Sequence, residues 1–255
     1  MSGTITFIGD SLLDDFYWLQ DKSRDLTKEV SALGFTVNNY AVDGSRLNDV
    51  INGISPSDVY IKARSYPYQT DSQGKVHPLK LLHLNDETPL SDYTKYNMVV
   101  LSIGGNDLKG DVMKILFGLD SFFKGIVTPQ YQKTFDTLLH DLKQKYPKVV
   151  LASMYLPYLG PGSIYGPFGY IASAVVKKWK EFILPLAKKH NIAVLDLSQT
   201  FDSNNKTHYG VVDIQPSNIS NKSIAKCLHY IYNNYQGYGI YFAPNCDISQ
   251  ITVTH

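Results

Sequence analysis

Three short turns, each directly behind an apolar run, hold the residues whose types could do chemistry together. Gly9-Asp10-Ser11-Leu12 follows Ile5–Ile8, Asp43-Gly44-Ser45 follows Phe35–Tyr40, and Gly104-Gly105-Asn106-Asp107 follows Met98–Ile103. A serine on a strand-to-helix turn presents its hydroxyl at the sheet edge. Its own N–H faces the place where a carbonyl oxygen would develop charge. Glycine lets the backbone approach a ligand closely, and an asparagine carboxamide offers an N–H donor. One hydroxyl with three donors, the amides of Ser11 and Gly44 and the side chain of Asn106, is what a tetrahedral oxyanion needs. Each such donor is typically worth about 10²–10³ in rate. The chemistry this points to is acyl transfer.

The three blocks, in this order and each behind its own strand, resemble the SGNH (GDSL) hydrolases. The stretch Lys177–Leu197, a basic amphipathic run leading into Ile192-Ala193-Val194-Leu195-Asp196-Leu197, is similar to that family's penultimate helix and strand. The resemblance covers nearly the whole chain. It implies an α/β fold, three-layer α/β/α and flavodoxin-like, with a central parallel sheet. It also implies ester hydrolysis without metal or cofactor, with Ser11 as nucleophile and Gly44 and Asn106 as oxyanion donors. The substrate expected is a small-molecule ester with a short acyl or O-acetyl group, because no extended apolar lid is visible. Asp10 is expected to brace the turn as an internal hydrogen-bond acceptor, and Asp107 to act as a helix cap or turn residue.

The last block departs from the family pattern Asp-x-x-His-Pro. Here the text is Val212-Asp213-Ile214-Gln215-Pro216, so Gln215 stands where the histidine belongs and Val212 where the aspartate belongs. A neutral carboxamide cannot take the serine's proton. Of the seven histidines, His208 lies in the same loop before the last helix and is the expected base, with Asp213 or Asp202 to orient it. Asp213 has a second reading as a helix cap. His77 and His83 would reach the site only if their segment folds over it as a lid. With no base at all, the chain is a binding module on the same fold, and that alternative stays open.

The elements that must position these turns alternate along the chain. Strands are expected at Ile5–Ile8, Phe35–Tyr40, Met98–Ile103, Val149–Met154 and Ile192–Leu197. Helices are expected over Asp15–Leu33, Gln130–Lys145, Ala172–His190 and Asn218–Tyr232. Alternation of this kind argues for a parallel sheet covered on both sides. The tail, Tyr238–Phe242 with Ile248–Val253, reads as an edge hairpin. Residues 1–255 read as one domain with an insertion at about 55–96, where Pro56, Pro67, Pro78 and Pro89 interrupt the rhythm. A loop from Pro157 to Pro167 follows the fourth strand and is placed to form a pocket wall. Its glycines do not match a dinucleotide-binding fingerprint.

Composition narrows the partners. Lys+Arg 24 against Asp+Glu 23 leaves a net charge of +1, with no basic field for nucleic acid. Two cysteines, Cys227 and Cys246, support neither a disulfide scaffold nor a four-cysteine zinc site, and no spacing suggests a metal. No apolar run is long enough to span a bilayer. The first residues show no signal-peptide pattern, so a cytoplasmic location is expected, with signal-independent export still open. The sequence does not set an oligomeric state.

Overall fold

The computed structural model describes residues 3–53, 97–109 and 118–255. Its frame is a seven-stranded sheet in the order β2-β1-β3-β4-β5-β6-β7. The strands are β1 (Thr4–Gly9), β2 (Thr36–Asn39), β3 (Asn97–Ser102), β4 (Lys148–Ala152), β5 (Ala193–Leu195), β6 (Gly239–Phe242) and β7 (Thr252–Thr254). All neighbours run parallel except the last pair, in which Tyr241 faces Val253 antiparallel. The central strands carry apolar residues on both faces, as the uncharged run in β3 demands. Ile5, Phe7, Met98, Val100 and Val150 point into one core, while Ile8, Val99, Leu101, Val149 and Leu151 point into the other. That period of two splits each strand between two hydrophobic layers.

Helices cover both faces. On the first lie α1 (Leu26–Ser31) and, late in the chain, a long helix at Asn218–Asn234, which bring Leu26, Val30, Ile224, Leu228 and Ile231 to the core. The second face is covered by two others, Pro129–Lys145 and Gly169–Lys189, through Phe135, Leu139, Leu142, Trp179 and Ile183. Shorter helices complete the described set. After α1 the described helices, long and short, are in chain order α2 (Leu47–Asn52), α3 (Gly105–Lys109), α4 (Leu119–Ile126), α5 (Pro129–Lys145), α6 (Gly169–Lys189), α7 (Leu197–Thr200) and α8 (Asn218–Asn234). α5 starts where Thr128 accepts from the Tyr131 N–H at 3.2 Å, with Pro129 at the first helical position. The three-layer parallel-sheet architecture is the one expected.

Two expectations change. The helix expected over Asp15–Leu33 is broken into two 3₁₀ turns, Phe16–Trp18 and Lys22–Arg24, followed by α1. Asp21 and Asp25 each cap a fresh start, accepting from the N–H groups of Ser23 and Lys28. Their short acceptors outcompete a continuous helix. In the tail, β6 is a full parallel neighbour of β5, and only the three-residue β7 forms the antiparallel edge. The segment read as an insertion, 55–96, lies outside the described residues.

Strand order decides where a site can form. β2 lies to one side of β1 and β3 to the other, so the connections leaving β1 and β3 diverge. A crevice opens beyond the carboxyl ends of those two strands, the usual ligand position in open parallel sheets.

Candidate active site

The turn after β1 is held from below. Gly9 adopts φ +133°, and a Cβ there would sit 1.8 Å from the Ser102 carbonyl oxygen, so only glycine allows β1 and β3 to approach this closely. The Asp10 N–H donates to that same carbonyl at 3.1 Å. The Asp10 carbonyl accepts from Leu13 and Asp14, both at 3.1 Å, and this closes a tight turn. Its carboxylate Oδ1 accepts from the Leu12 N–H at 3.2 Å and from Ser102 Oγ at 2.7 Å. Leu12 and Leu13 are buried, which leaves half-buried Ser11 as the turn's outward residue. Its N–H makes no hydrogen bond among the described residues.

Gly44 lies between two tethers. On one side the Asp43 N–H donates to Asp14 of the serine turn at 3.0 Å. On the other, Asn106 Nδ2 donates to the Ser45 carbonyl at 3.1 Å. Gly44 itself is exposed, at φ +85°, and its N–H makes no hydrogen bond among the described residues. Asn106 stands in the first turn of α3, and one of its two carboxamide hydrogens makes no hydrogen bond among the described residues. Asp107 caps α2 rather than its own helix, accepting from the Leu47 N–H at 3.2 Å.

A cleft of about 140 Å³ opens between these turns, with Asp10, Ser11, Ser102, Asn106, Tyr155 and Gln215 among its lining. Ser11 and Asn106 therefore share one cavity. Gly44 belongs to the adjoining loop, tied to both.

The expected base does not arrive. Gln215 fills the position beside the serine, its Nε2 donating to Ser11 Oγ at 2.9 Å. A turn holds it there, with its N–H on the Val212 carbonyl at 3.2 Å and its own carbonyl accepting from Gly210 at 2.8 Å. Gln215 Oε1 is buried and has no hydrogen-bond partner among the described residues. His208 is turned into the protein and 3% exposed. Its Nδ1 accepts from the Asp202 N–H at 2.9 Å, and the Asn205 carboxamide lies 3.2 Å from Nε2. Burial holds its pKa below the ordinary imidazole value. The ring serves the 3₁₀ turn Lys206–His208 and makes no bond to Ser11, contrary to the expectation from the sequence.

Asp213 is displaced as well. Its carboxylate pairs with the Lys206 ammonium, which holds its pKa down, and its carbonyl accepts from Tyr158 at 2.7 Å. Among the described residues it orients no histidine and caps no helix, and Ser217 caps α8. The Asp202 carboxylate accepts from Asn204 N–H at 2.9 Å. His77 and His83 lie outside the described residues, and no described histidine lines the cleft. Among the described residues no group of three or more His, Cys, Asp or Glu is placed to hold a metal ion.

The electrostatics centre on carboxyls. Burial pushes Asp10 up to about 7, against the pull of its bonds to Ser102 and Leu12. Asp107 is pushed up to about 6 by the same cause. Tyr155, whose hydroxyl donates to the Ile214 carbonyl at 2.7 Å, is raised by burial first and by Asp10 second. The sequence marks Asp10 as a brace, which it is, but not as a cleft wall. Nothing in the sequence singles out Ser102 or Tyr155, which also line the cleft. The serine closing β3 was visible in Met98–Ile103, but only the β1–β3 register shows that it meets Asp10.

The chain matches the GDSL-like lipase/acylhydrolase family over residues 7–218. Among solved structures it is similar to a lipase from a goat rumen metagenome, at 15% identity and TM-score 0.60, covering 90% of this chain and 97% of that one. It is also similar to an extracellular lipase of Streptomyces rimosus, at 16% identity and TM-score 0.51, covering 86% and 95%. An acetylxylan esterase of Geobacillus stearothermophilus matches at 16% identity and TM-score 0.51, covering 90% and 94%. These likenesses show the shared fold. No curated protein matches the sequence.

Proposed function

Since the chain belongs to the GDSL-like lipase/acylhydrolase family of carboxylic ester hydrolases, we propose that Ser11 is its acyl-accepting nucleophile and that its ester carries a short acyl or O-acetyl group. The Ser11 Oγ attacks the carbonyl carbon. The carbonyl oxygen, becoming an oxyanion, takes hydrogen bonds from the amides of Ser11 and Gly44 and from Asn106 Nδ2. Collapse of the tetrahedral species expels the alcohol, and water then releases the acid from the serine. Gln215 donates to Oγ, so it stabilises developing negative charge there without taking the proton.

The observation that carries this reading is the pairing of Ser11 with Asn106 in one cleft, beside two backbone N–H groups that make no hydrogen bond among the described residues. Cleft volume argues for the substrate class. About 140 Å³ is well below the roughly 300–1,000 Å³ typical of sites for drug-sized ligands. An acetyl group fits such a space, which favours a short acyl chain.

The test compares p-nitrophenyl acetate with longer p-nitrophenyl esters, alongside fluorophosphonate labelling, in wild type and Ser11→Ala. Hydrolysis should fall steeply with chain length, and both signals should vanish in Ser11→Ala. Equal rates on long esters contradict the substrate class, and unchanged labelling of Ser11→Ala contradicts the nucleophile. The Gln215–Ser11 bond favours one other reading, a carbonyl-binding protein that does not turn over. Saturable ester binding with neither hydrolysis nor labelling would identify it.

A further inference from the structure

Resting on the reading of Ser11 as nucleophile, we infer that Asp10 is the proton acceptor of this site, taking the serine proton through one water in the cleft, where the family pattern places a histidine. The cleft needs such a group. Among the described residues, its lining holds no histidine, and the side chain at the usual base position is a carboxamide that donates to Oγ. A hydroxyl attacking an ester must lose its proton to a nearby acceptor, directly or through one water.

Asp10 meets the requirement on geometry. It lines the same cleft as Ser11 and retains 8% exposure. Its two oxygens have different duties. Oδ1 is committed to Ser102 Oγ and the Leu12 N–H, and it holds the turn. Oδ2 makes no hydrogen bond among the described residues. It lies 3.8 Å from where a Cβ on Gly105, another lining residue, would sit. One oxygen is structural and the other is free to take a proton. The charged and titratable groups facing Asp10 are Asp43 and Asp107, which disfavour its anion, and the hydroxyls of Tyr131 and Tyr155, whose own ionisation Asp10 opposes. Burial first, and then the two neighbouring carboxylates, hold its pKa at about 7, near the value that suits a general base in neutral solution.

The proton balance closes over one turnover. As Oγ bonds to the carbonyl carbon, its proton passes through the water to Oδ2, and the carbonyl π electrons move to the oxyanion. On collapse the carbon–alkoxide bond breaks, and the leaving alkoxide takes the proton from Asp10. The ionised carboxylate then accepts a proton from the water that attacks the acyl-serine. Departing Oγ takes that proton back, and Asp10 returns to its starting state.

The test measures kcat and kcat/KM for p-nitrophenyl acetate from about pH 5.5 to 9 in wild type, Asp10→Asn, Gln215→His and the double variant. Asparagine keeps an oxygen for Ser102 and Leu12, so a purely structural Asp10 tolerates the change. Ionised Asp10 is the working form, so wild-type kcat/KM should rise with pH, with its midpoint near 7. Asp10→Asn should lower kcat by about 10²–10⁴. Adding Gln215→His should restore at least tenfold of that loss, with a profile now set by imidazole. Full activity in Asp10→Asn, or a flat wild-type profile, overturns the inference while Ser11-dependent hydrolysis keeps the serine reading intact. Wild type that neither hydrolyses nor labels overturns both.

Discussion

At the scale of single residues, the site is a contest for the hydrogen-bonding capacity of a few atoms. Asn106 spends one carboxamide hydrogen on Ser45, and the other is the one proposed to meet the oxyanion. Asn106→Ala should therefore lower kcat by about 10²–10³ with little change in KM, because an oxyanion donor acts chiefly in the transition state. Steady-state kinetics on p-nitrophenyl acetate checks this, and a loss confined to KM would contradict it. The proposed nucleophile and its proposed donors could be named from the sequence because each sits within a few residues of a strand end. The absence of histidine at position 215 was equally plain. The fate of His208 was not. Its ring is fixed by Asp202 and Asn205, and its carbonyl by Ser217 and Ser220. Nothing in the spacing tells a ring that closes its own loop from one that reaches a cleft.

At the scale of elements, the site depends on how closely β1 and β3 approach. Gly9 pairs with Ser102 in register, and that contact sets the turn bearing Ser11 above the oxygen atoms that brace it. Gly9→Ala forces a Cβ onto the Ser102 carbonyl at a positive φ. It should cost about 3 kcal/mol or more of stability. Urea unfolding measures this, and a midpoint equal to wild type would show that the strands separate freely. Strands and long helices were readable because β3 carries no charge and α5 repeats its apolar residues at helical spacing. The broken first helix was not readable. Its apolar residues kept a helical period, while Asp21 and Asp25 as caps and Asp15 bonding to Leu26 and Asn221 redirected the backbone. The Asn221 partner lies across the chain, beyond any local pattern.

At the scale of the molecule, the two-core sheet buries more acid than its small net charge suggests. Asp10 and Asp15 are pushed by burial to about 7, and Asp107 to about 6, from an ordinary 3.8. A raised carboxyl means the folded state holds its proton longer than the unfolded one. Its contribution is full below 3.8 and is lost as pH climbs through the folded value. His208, lowered by burial, works the other way and costs stability below its ordinary 6.5. Three carboxyls outweigh one imidazole, so the thermal midpoint should fall between about pH 5 and pH 8, and less so in Asp10→Asn. Scanning calorimetry checks this, and a midpoint rising over that range would contradict it. No helix among the described residues is long and apolar enough to cross a membrane. The most direct test of the whole account is mass spectrometry of the protein after brief exposure to p-nitrophenyl acetate and an acid quench. An acetyl adduct on the peptide bearing Ser11, absent from Ser11→Ala, is the predicted result. An unmodified Ser11 peptide alongside rapid hydrolysis, or an adduct on another residue, would contradict it.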